Sequence, residues 1–245
     1  EMDKEKLWRW VDTSHAALFG ERLTCVCCGA DLFVDGHFCE RCLQTLPLNA
    51  GVICSKCGRA VGEDYPVCLE CKAHMPAYTE ARSAFRYEGE SVRLVKKCKT
   101  GGRYLAPAFA ERMALLLLAD FPDADFLVPV PMTERAIKRR GYNQARLLAE
   151  EISVRTGIPA ECAVLEKSRD TTEQKELSLR GRAENLKGSF PVAERKKCRG
   201  ARIALIDDVM TTGATANAAA EALLHAGAAK VYLLTAASVP YRGKK

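Results

Sequence analysis

The sequence predicts an α/β fold, in which helices flank a parallel sheet, with a small cysteine-rich module ahead of it. Residues 203–206, IALI, form a continuous apolar run, which is typical of a strand buried on both faces. A pattern rich in alanine and leucine follows at residues 217–224, Gly227 ends it, and a second apolar run begins at Lys230. This order of strand, helix and strand is the repeating unit of a parallel sheet.

Two carboxylates, Asp207 and Asp208, follow the first of these strands directly. Because a core does not accept two uncompensated carboxylates, we expect the strand to end there, at the edge where open α/β sheets bind ligands. The next turn combines small side chains, three hydroxyls and a glycine: Thr211, Thr212, Gly213, Ala214 and Thr215. Backbone N–H groups at such a helix start bind phosphate. Acids that accept from a vicinal diol beside a phosphate cradle suit ribose 5-phosphate.

Composition limits the class of protein. The chain has 245 residues, 48% of them hydrophobic, which suffices for one α/β domain and a small module. It contains no apolar run of about 18 residues and begins without a signal-peptide pattern, so we expect no membrane span and a cytoplasmic location. The net charge of +6 favours anionic ligands such as polyphosphates or nucleic acid without choosing between them.

Cysteine is concentrated near the N-terminus. Eight of the 12 cysteines form four C-x-x-C pairs: Cys25, Cys28, Cys39, Cys42, Cys54, Cys57, Cys68 and Cys71. In a reducing compartment this spacing indicates tetrahedral zinc rather than disulfides, and the metal would supply about 10–16 kcal/mol of folding free energy per site. We predict two sequential Cys₄ ribbons, while a cross-braced pairing of the first pair with the third stays open. Cys27, His37 and His74 are interpreted as bystanders.

A basic loop follows another predicted strand, residues 125–130. Pro129 and Pro131 stiffen its exit, and four cations then crowd before Gly141: Arg135, Lys138, Arg139 and Arg140. Such a run is often a solvated helix face. Because the carboxyl ends of parallel strands share one edge, we expect this loop and the phosphate turn to open on the same side of the sheet.

These motifs resemble those of a known family. LIDDVMTTGAT at residues 205–215 resembles the phosphoribosyl pyrophosphate (PRPP) loop of the type I phosphoribosyltransferases, and PVPMTERAIKRRGYNQ at residues 129–144 resembles the ComF family of phosphoribosyltransferases. An RxRxxNLxGSF-like stretch at residues 180–190 extends the resemblance over nearly the whole chain. One departure is Cys98 in KKCKTGG, where an aromatic residue is expected; we interpret it as a buried, inert thiol.

The apolar pattern of residues 1–24 predicts a short amphipathic helix, and the cysteine spacing predicts a double zinc ribbon at residues 25–75. The resemblance implies a type I phosphoribosyltransferase fold at residues 78–245. It implies Mg²⁺-dependent displacement of pyrophosphate from C1 of PRPP by an acceptor that the sequence does not identify. Asp207 and Asp208 would be the catalytic pair that holds the ribose diol. The implied PRPP-binding residues are Asp207, Asp208, Val209, Thr211, Thr212, Gly213, Ala214, Thr215, Val130, Pro131, Arg139 and Arg140.

A polar segment at residues 168–188 lies between predicted strands at residues 163–165 and 190–192. We predict a mobile lid that closes over the pyrophosphate through Arg169, Gln174, Lys175, Arg180 and Arg182, with simple disorder as the alternative.

Two further function classes stay open: a single-stranded DNA-binding factor in natural competence, and a PRPP-sensing regulator without turnover. The expected partners are accordingly PRPP, single-stranded DNA or DNA-uptake proteins, with a homodimer kept as an option.

Overall fold

The computed structural model describes residues 24–33, 36–62, 66–168 and 188–241. The chain divides into two compact units, Glu1–Leu46 and Pro47–Lys245. This division falls between the two cysteine clusters, whereas the sequence suggested a module at residues 25–75 that contains both; those domain boundaries stay a prediction. Most of the predicted helix at residues 1–24 lies outside the described residues.

The first unit is built around a cysteine knuckle. Thr24 and Asp31 form an antiparallel bridge, and the turn between them is closed by the N–H of Cys25, which donates to the carbonyl of Ala30 at 2.7 Å. A single short helix, α1 (Glu40–Thr45), begins directly after Cys39 in the described part of this unit. The second pair of cysteines is therefore presented by a helix start.

The second unit contains a four-stranded sheet in the order β1-β4-β3-β2, with every neighbouring pair parallel. Its elements are α2 (Leu69–Ala73), β1 (Glu80–Arg86), α3 (Glu90–Lys99), α4 (Ala106–Asp120), β2 (Phe126–Pro129), α5 (Glu134–Arg140), α6 (Gln144–Thr156), α7 (Arg195–Cys198), β3 (Arg202–Met210), α8 (Ala214–His225) and β4 (Lys230–Ser238). A 3₁₀ turn, Arg103–Leu105, precedes α4. The predicted α/β class, a parallel sheet flanked by helices after a small cysteine module, is confirmed.

The core lies on both faces of the two central strands. All four residues of the IALI run in β3 are fully buried, as the continuous apolar pattern predicts. Helix α4 packs against β1 and β4, and α6 packs against β2 and β3. The alanine-rich face of α8 packs on the sheet face that carries Ile203 and Leu205. None of the helices in the described ranges is long and apolar enough to cross a bilayer.

The end of β3 differs from the expectation. The strand does not end at Asp207 but continues to Met210, with Val209 pairing with Ala237 of β4. The expectation was wrong because the charge of Asp208 is compensated inside the fold by an ion pair with Lys99. The two acids therefore belong to the strand itself.

Two other local predictions also change. The basic run at residues 135–140 is the helix α5, which Thr133 caps by accepting from the N–H of Ala136 at 3.3 Å. In the described part of the chain, the strands expected at residues 163–165 and 190–192 reduce to one antiparallel bridge between Leu165 and Val192. Backbone hydrogen bonds from Glu166 to Pro191 and from Ala193 to Val164 flank it, but Pro191 has no N–H to donate back.

Candidate functional site

The acid pair lies at the carboxyl end of the central strand β3. Asp207 and Asp208 are consecutive strand residues, so their side chains point to opposite faces of the sheet. The Oδ1 atom of Asp207 accepts from the N–H of Asp208 at 2.8 Å, and both residues are partly buried. On the other side, Nζ of Lys99 lies 2.9 Å from Oδ2 of Asp208. The carboxylate of Asp208 is thus paired with a lysine, and that of Asp207 accepts from the backbone of the next residue.

Burial raises the pKa of Asp207 to about 7, and the negative charge of Asp208 acts in the same direction. The N–H of Asp208 opposes this shift, as do the ammonium groups of Lys99 and Lys167. A carboxyl group with a pKa near neutrality exchanges its proton readily at physiological pH. Asp207 can therefore be present as a neutral acid or as an anion, depending on what binds beside it.

Lys99 is the residue of this site that sequence reasoning missed. It is the last residue of α3, just before the turn that Gly101 and Gly102 complete. The KKCKTGG segment drew attention only for Cys98, whose pKa burial raises to about 12, in agreement with an inert buried thiol. The residues next to Lys99 in the sequence do not indicate that it pairs with Asp208. The contact becomes visible only in the folded structure.

The turn after β3 encloses a pocket between Asp207 and the start of α8, and Asp208 is not among the residues that line it. Its lining consists of Asp207 and Val209 together with Met210, Thr211, Thr212, Gly213, Ala214, Thr215 and Ala216. Gly213 has a φ of +76°, which turns the chain into the helix, and Oγ1 of Thr212 accepts from the N–H of Ala214 at 3.4 Å. The N-terminal end of a 12-residue helix, with its positive dipole, faces this pocket.

The loop after β2 begins beside the acid pair. The N–H of Val130 donates to the carbonyl of Ile206, the residue before Asp207, at 2.8 Å. The carbonyl of Val130 accepts from Nδ2 of Asn143 at 3.0 Å, and Asn143 also caps α6. The two loops open on the same edge, as predicted, and Asn143 is a second residue that holds this edge together.

The predicted arginines lie farther along this loop. Pro131 is partly buried, Arg139 is exposed, and Arg140 donates to Oε1 of Gln144 at 3.3 Å. Within the described part of the chain, neither arginine lines the pocket around the phosphate turn. The predicted lid residues Arg169, Gln174, Lys175, Arg180 and Arg182 lie outside the described residues.

The cysteine pairs form two clusters in the sequential arrangement. The ligand atoms of Cys54, Cys57, Cys68 and Cys71 lie within 4.8 Å of one another, and the same holds for Cys25, Cys28, Cys39 and Cys42. The Sγ atoms of Cys57 and Cys68 are 3.8 Å apart, and those of Cys28 and Cys39 are 3.7 Å apart. Sulfurs at about 2.3 Å from a tetrahedral zinc have edges of about 3.8 Å, so both sets could hold the ion.

The second cluster has a cation beside it. Arg59 is buried, and its Nε donates to Sγ of Cys57 at 3.4 Å. A hydrogen bond from Cys71 lowers the pKa of Cys57, and the guanidinium of Arg59 lowers it further. Arg59 also forms an ion pair with Glu70. These contacts favour the thiolate that a metal requires and compensate its negative charge.

No protein-family model matches the chain. Among known proteins, it is similar to DNA utilization protein YhgH of Salmonella typhi, with 31% identity over 213 residues that cover 79% of this chain and 93% of that protein. Competence protein F of Haemophilus influenzae is 27% identical over 216 residues, which cover 79% of this chain and 93% of the relative. Competence protein ComFC of Bacillus subtilis is 28% identical over 203 residues, with coverages of 80% and 81%.

Two solved structures are distantly similar. Purine phosphoribosyltransferase from Pyrococcus horikoshii has 15% identity and a TM-score of 0.39, with coverage of 60% of this chain and 81% of that one. Hypoxanthine phosphoribosyl transferase of Trypanosoma cruzi has 11% identity and a TM-score of 0.35, with coverages of 57% and 74%. Values this low carry no conclusion about ligand or reaction.

Proposed function

The chain belongs to the ComF family, with DNA utilization protein YhgH and the competence proteins F and ComFC as relatives, and we propose that it binds PRPP and transfers its phosphoribosyl group. The observation that carries this proposal is the shared pocket: Asp207 and the turn at residues 209–216 line one cavity at the carboxyl edge of a parallel sheet. A ligand that presents a diol and a phosphate a few bonds apart matches both halves of that cavity.

The phosphate turn is suited to the 5-phosphate of the ribose. Its donors are the backbone N–H groups at the start of α8 and the hydroxyls of Thr211, Thr212 and Thr215. Gly213 lets the backbone approach the ligand, because it has no side chain and holds a left-handed φ. An anion bound here is stabilised by the helix dipole without any cationic side chain.

The acids are suited to the ribose ring. As an anion, Asp207 would accept hydrogen bonds from the ribose diol in the pocket, and the charge of the acid pair would stabilise a positive anomeric carbon as the C1–O bond to pyrophosphate breaks. The new bond forms between C1 and the nucleophile of the acceptor, whose proton is released. Because burial raises the pKa of Asp207 to about 7, its ionisation would accompany binding of the diol.

Metal ions would serve two different purposes. Mg²⁺ would bind mainly to oxygens of PRPP and water and would neutralise the leaving pyrophosphate. Zinc in the two cysteine clusters would be structural, because each cluster supplies four thiolates and leaves no open position for a substrate. The basic loop with Val130, Pro131, Arg139 and Arg140 remains the proposed contact for pyrophosphate.

The test is a titration with PRPP and Mg²⁺, followed by a screen for acceptor-dependent release of pyrophosphate. Binding with release identifies a transferase and its acceptor class. Binding without release for any base, amine or nucleoside tested favours a PRPP-sensing regulator. Absence of PRPP binding at millimolar concentration contradicts the proposal as a whole.

A second candidate is single-stranded DNA binding in DNA uptake. It is favoured by the exposed basic residues at the end of α5, Lys138 and Arg139, and by the names of the relatives. Cations of this kind attract a phosphate backbone. The two candidates are compatible, and they are separated by the acid-pair variant described in the Discussion.

A further inference from the structure

The second cysteine cluster is packed into the α/β unit rather than attached to its surface. All four of its cysteines are buried and share one core with residues of β3, β4 and α8. The carbonyl of Lys56, inside the knuckle, accepts from the N–H of Ala81 in β1 at 3.0 Å, and Nζ of Lys56 donates to the carbonyl of Thr79 at 2.9 Å. The knuckle is thus fixed to the start of the first strand by one backbone and one side-chain hydrogen bond.

Arg59 ties the same cluster to the end of the last strand. Its guanidinium contacts two of the thiols and also lies over the ring of Tyr241, 5.7 Å from the centroid. The N–H of Tyr241 donates to the carbonyl of Ala60 at 3.0 Å. A cluster that holds a metal would therefore be clamped between the start of β1 and the residues that follow β4.

The segment between the cluster and β1 runs directly behind the phosphate turn. The N–H of Ala77 donates to Oδ1 of Asn217, in the first turn of α8, at 2.6 Å. The hydroxyl of the buried Tyr78 lies 3.8 Å from Sδ of Met210, the last residue of β3. A Cβ at Gly213 would lie 3.5 Å from the same hydroxyl. Two consecutive residues thus contact both ends of the turn, and the hydroxyl of Tyr78 also limits the space beside Gly213.

We propose that Ala77 and Tyr78 are positioning residues, which hold the phosphate turn in its binding geometry and are themselves held by metal in the second cysteine cluster. The first cluster belongs to the other compact unit. Binding of a sugar phosphate then depends on metal in the second cluster. This inference rests on the proposed function for its ligand, although the mechanical link itself does not require that function.

The first experiment compares two variants that each lose one thiolate, Cys71→Ser from the second cluster and Cys42→Ser from the first. Both are tested as the full chain for metal content, for amide hydrogen exchange at residues 211–217 without ligand, and for affinity towards ribose 5-phosphate. We expect each variant to lose the metal of its own cluster. Cys71→Ser should exchange faster at these amides and bind about tenfold more weakly or worse, whereas Cys42→Ser should match the unaltered protein in exchange and in affinity. Equal exchange at residues 211–217 in the two variants would overturn the inference.

A second pair of variants covers the case in which Cys71→Ser does not fold. Asn217→Ala removes the acceptor of the Ala77 N–H, whereas Glu221→Ala removes only the other partner of the Asn217 amide, which donates to Oε1 of Glu221 at 2.8 Å. Both should keep full metal content. Faster exchange and weaker ribose 5-phosphate binding in Asn217→Ala alone support the link, and identical behaviour of the pair contradicts it.

The two proposals can fail separately. If the unaltered protein binds neither ribose 5-phosphate nor PRPP, the proposed function is wrong, while the exchange measurements still decide whether the cluster supports the turn. If the ligands bind and both exchange comparisons show no difference, the proposed function stands and the mechanical link is wrong.

Discussion

Nζ of Lys99, at the end of α3, lies 2.9 Å from Oδ2 of Asp208, near the end of the central strand β3. The two side chains are 31% and 18% exposed, so the pair is partly screened from water. This contact places a positive charge beside two adjacent carboxylates. It explains how both acids can remain within the strand, and any ligand that engages Asp208 must share it with the lysine.

The first prediction concerns this lysine. Lys99→Met should lower the affinity for PRPP at pH 7, because loss of its charge raises the pKa of Asp207 and leaves less of the anion that accepts from the diol. The effect should be about two- to fivefold, since one partly exposed charge contributes little. Because the charge of Lys99 lowers the pKa of Asp207, the variant should also shift the pH dependence of binding upward. Titrations between pH 5.5 and 8.5 measure both effects. Lys96→Met, an exposed residue of the same helix, is the control, and equal profiles for the two variants would contradict the role of Lys99.

The second prediction concerns the pH dependence of stability. The native pKa of Asp207 is raised to about 7, so the native protein holds this proton more tightly than the unfolded chain does. The stabilising contribution is therefore fully present below about pH 4 and is lost as the pH rises through about 7. Between about pH 4 and pH 7, the free energy of unfolding of the unaltered protein, relative to that of Asp207→Asn, should fall by at most about 1.4 kcal/mol per pH unit. Chemical denaturation from pH 5.5 to 8 measures the difference, which should not be flat.

The third prediction separates a PRPP site from a DNA site. Asp207→Asn/Asp208→Asn should weaken PRPP binding at least about tenfold and abolish turnover, because amides add donors where acceptors are needed. Removing two negative charges should leave DNA binding unchanged or slightly stronger. The matched control is Glu150→Gln/Glu151→Gln, which removes the same charge on α6. Calorimetric titration measures the affinity for PRPP and the affinity for a short single-stranded DNA. An unchanged PRPP affinity in the aspartate variant would contradict the proposed function.

The fourth prediction concerns the basic helix. Arg139→Ala/Arg140→Ala should raise the KM for PRPP if this end of α5 contacts the pyrophosphate. If both side chains contact DNA phosphates, it should also flatten the slope of log affinity against log salt by about 1.4. Arg146→Ala/Arg155→Ala removes two arginines from α6 and serves as the control, since each already pairs with a glutamate on its own helix. We expect the larger change in PRPP kinetics, and a change in the salt slope alone would favour the DNA binder.

The fifth prediction concerns the metal content. The purified chain should contain two zinc ions, and Cys57→Ser should contain one, because three thiolates leave an incomplete tetrahedron. Cys162→Ser, outside both clusters, should keep two. Elemental analysis together with a thiol count measures this, and one zinc or none in the unaltered protein with all eight thiols reduced would contradict the assignment.

Local patterns were sufficient to predict the sheet and the cysteine clusters. Three patterns can be recognised from residues that are close together in the sequence: the apolar IALI run, the helix of alanines and leucines, and the repeated C-x-x-C pairs. The second half of β3 could not be predicted in this way, because the charge of Asp208 is compensated by Lys99, which belongs to a helix distant in sequence. The support behind the phosphate turn was missed for the same reason. Ala77 and Tyr78 look like ordinary residues before a strand until the fold brings Asn217 and Met210 against them.

Gly29 and Gly58 follow equivalent C-x-x-C pairs, and both have a positive φ, +76° and +66°. Within its own unit, a Cβ on Gly29 would meet nothing within 4 Å, whereas a Cβ on Gly58 would overlap the carbonyl of Ala81. Asparagine, which tolerates the left-handed region, is therefore acceptable at the first position and excluded at the second. The backbone conformation alone places the same restriction on both glycines. Packing against β1 adds a second restriction at Gly58. The two copies should therefore differ in the substitutions that they tolerate: the copy at Gly29 should accept more residues, and the copy at Gly58 should accept only those that fit against the sheet.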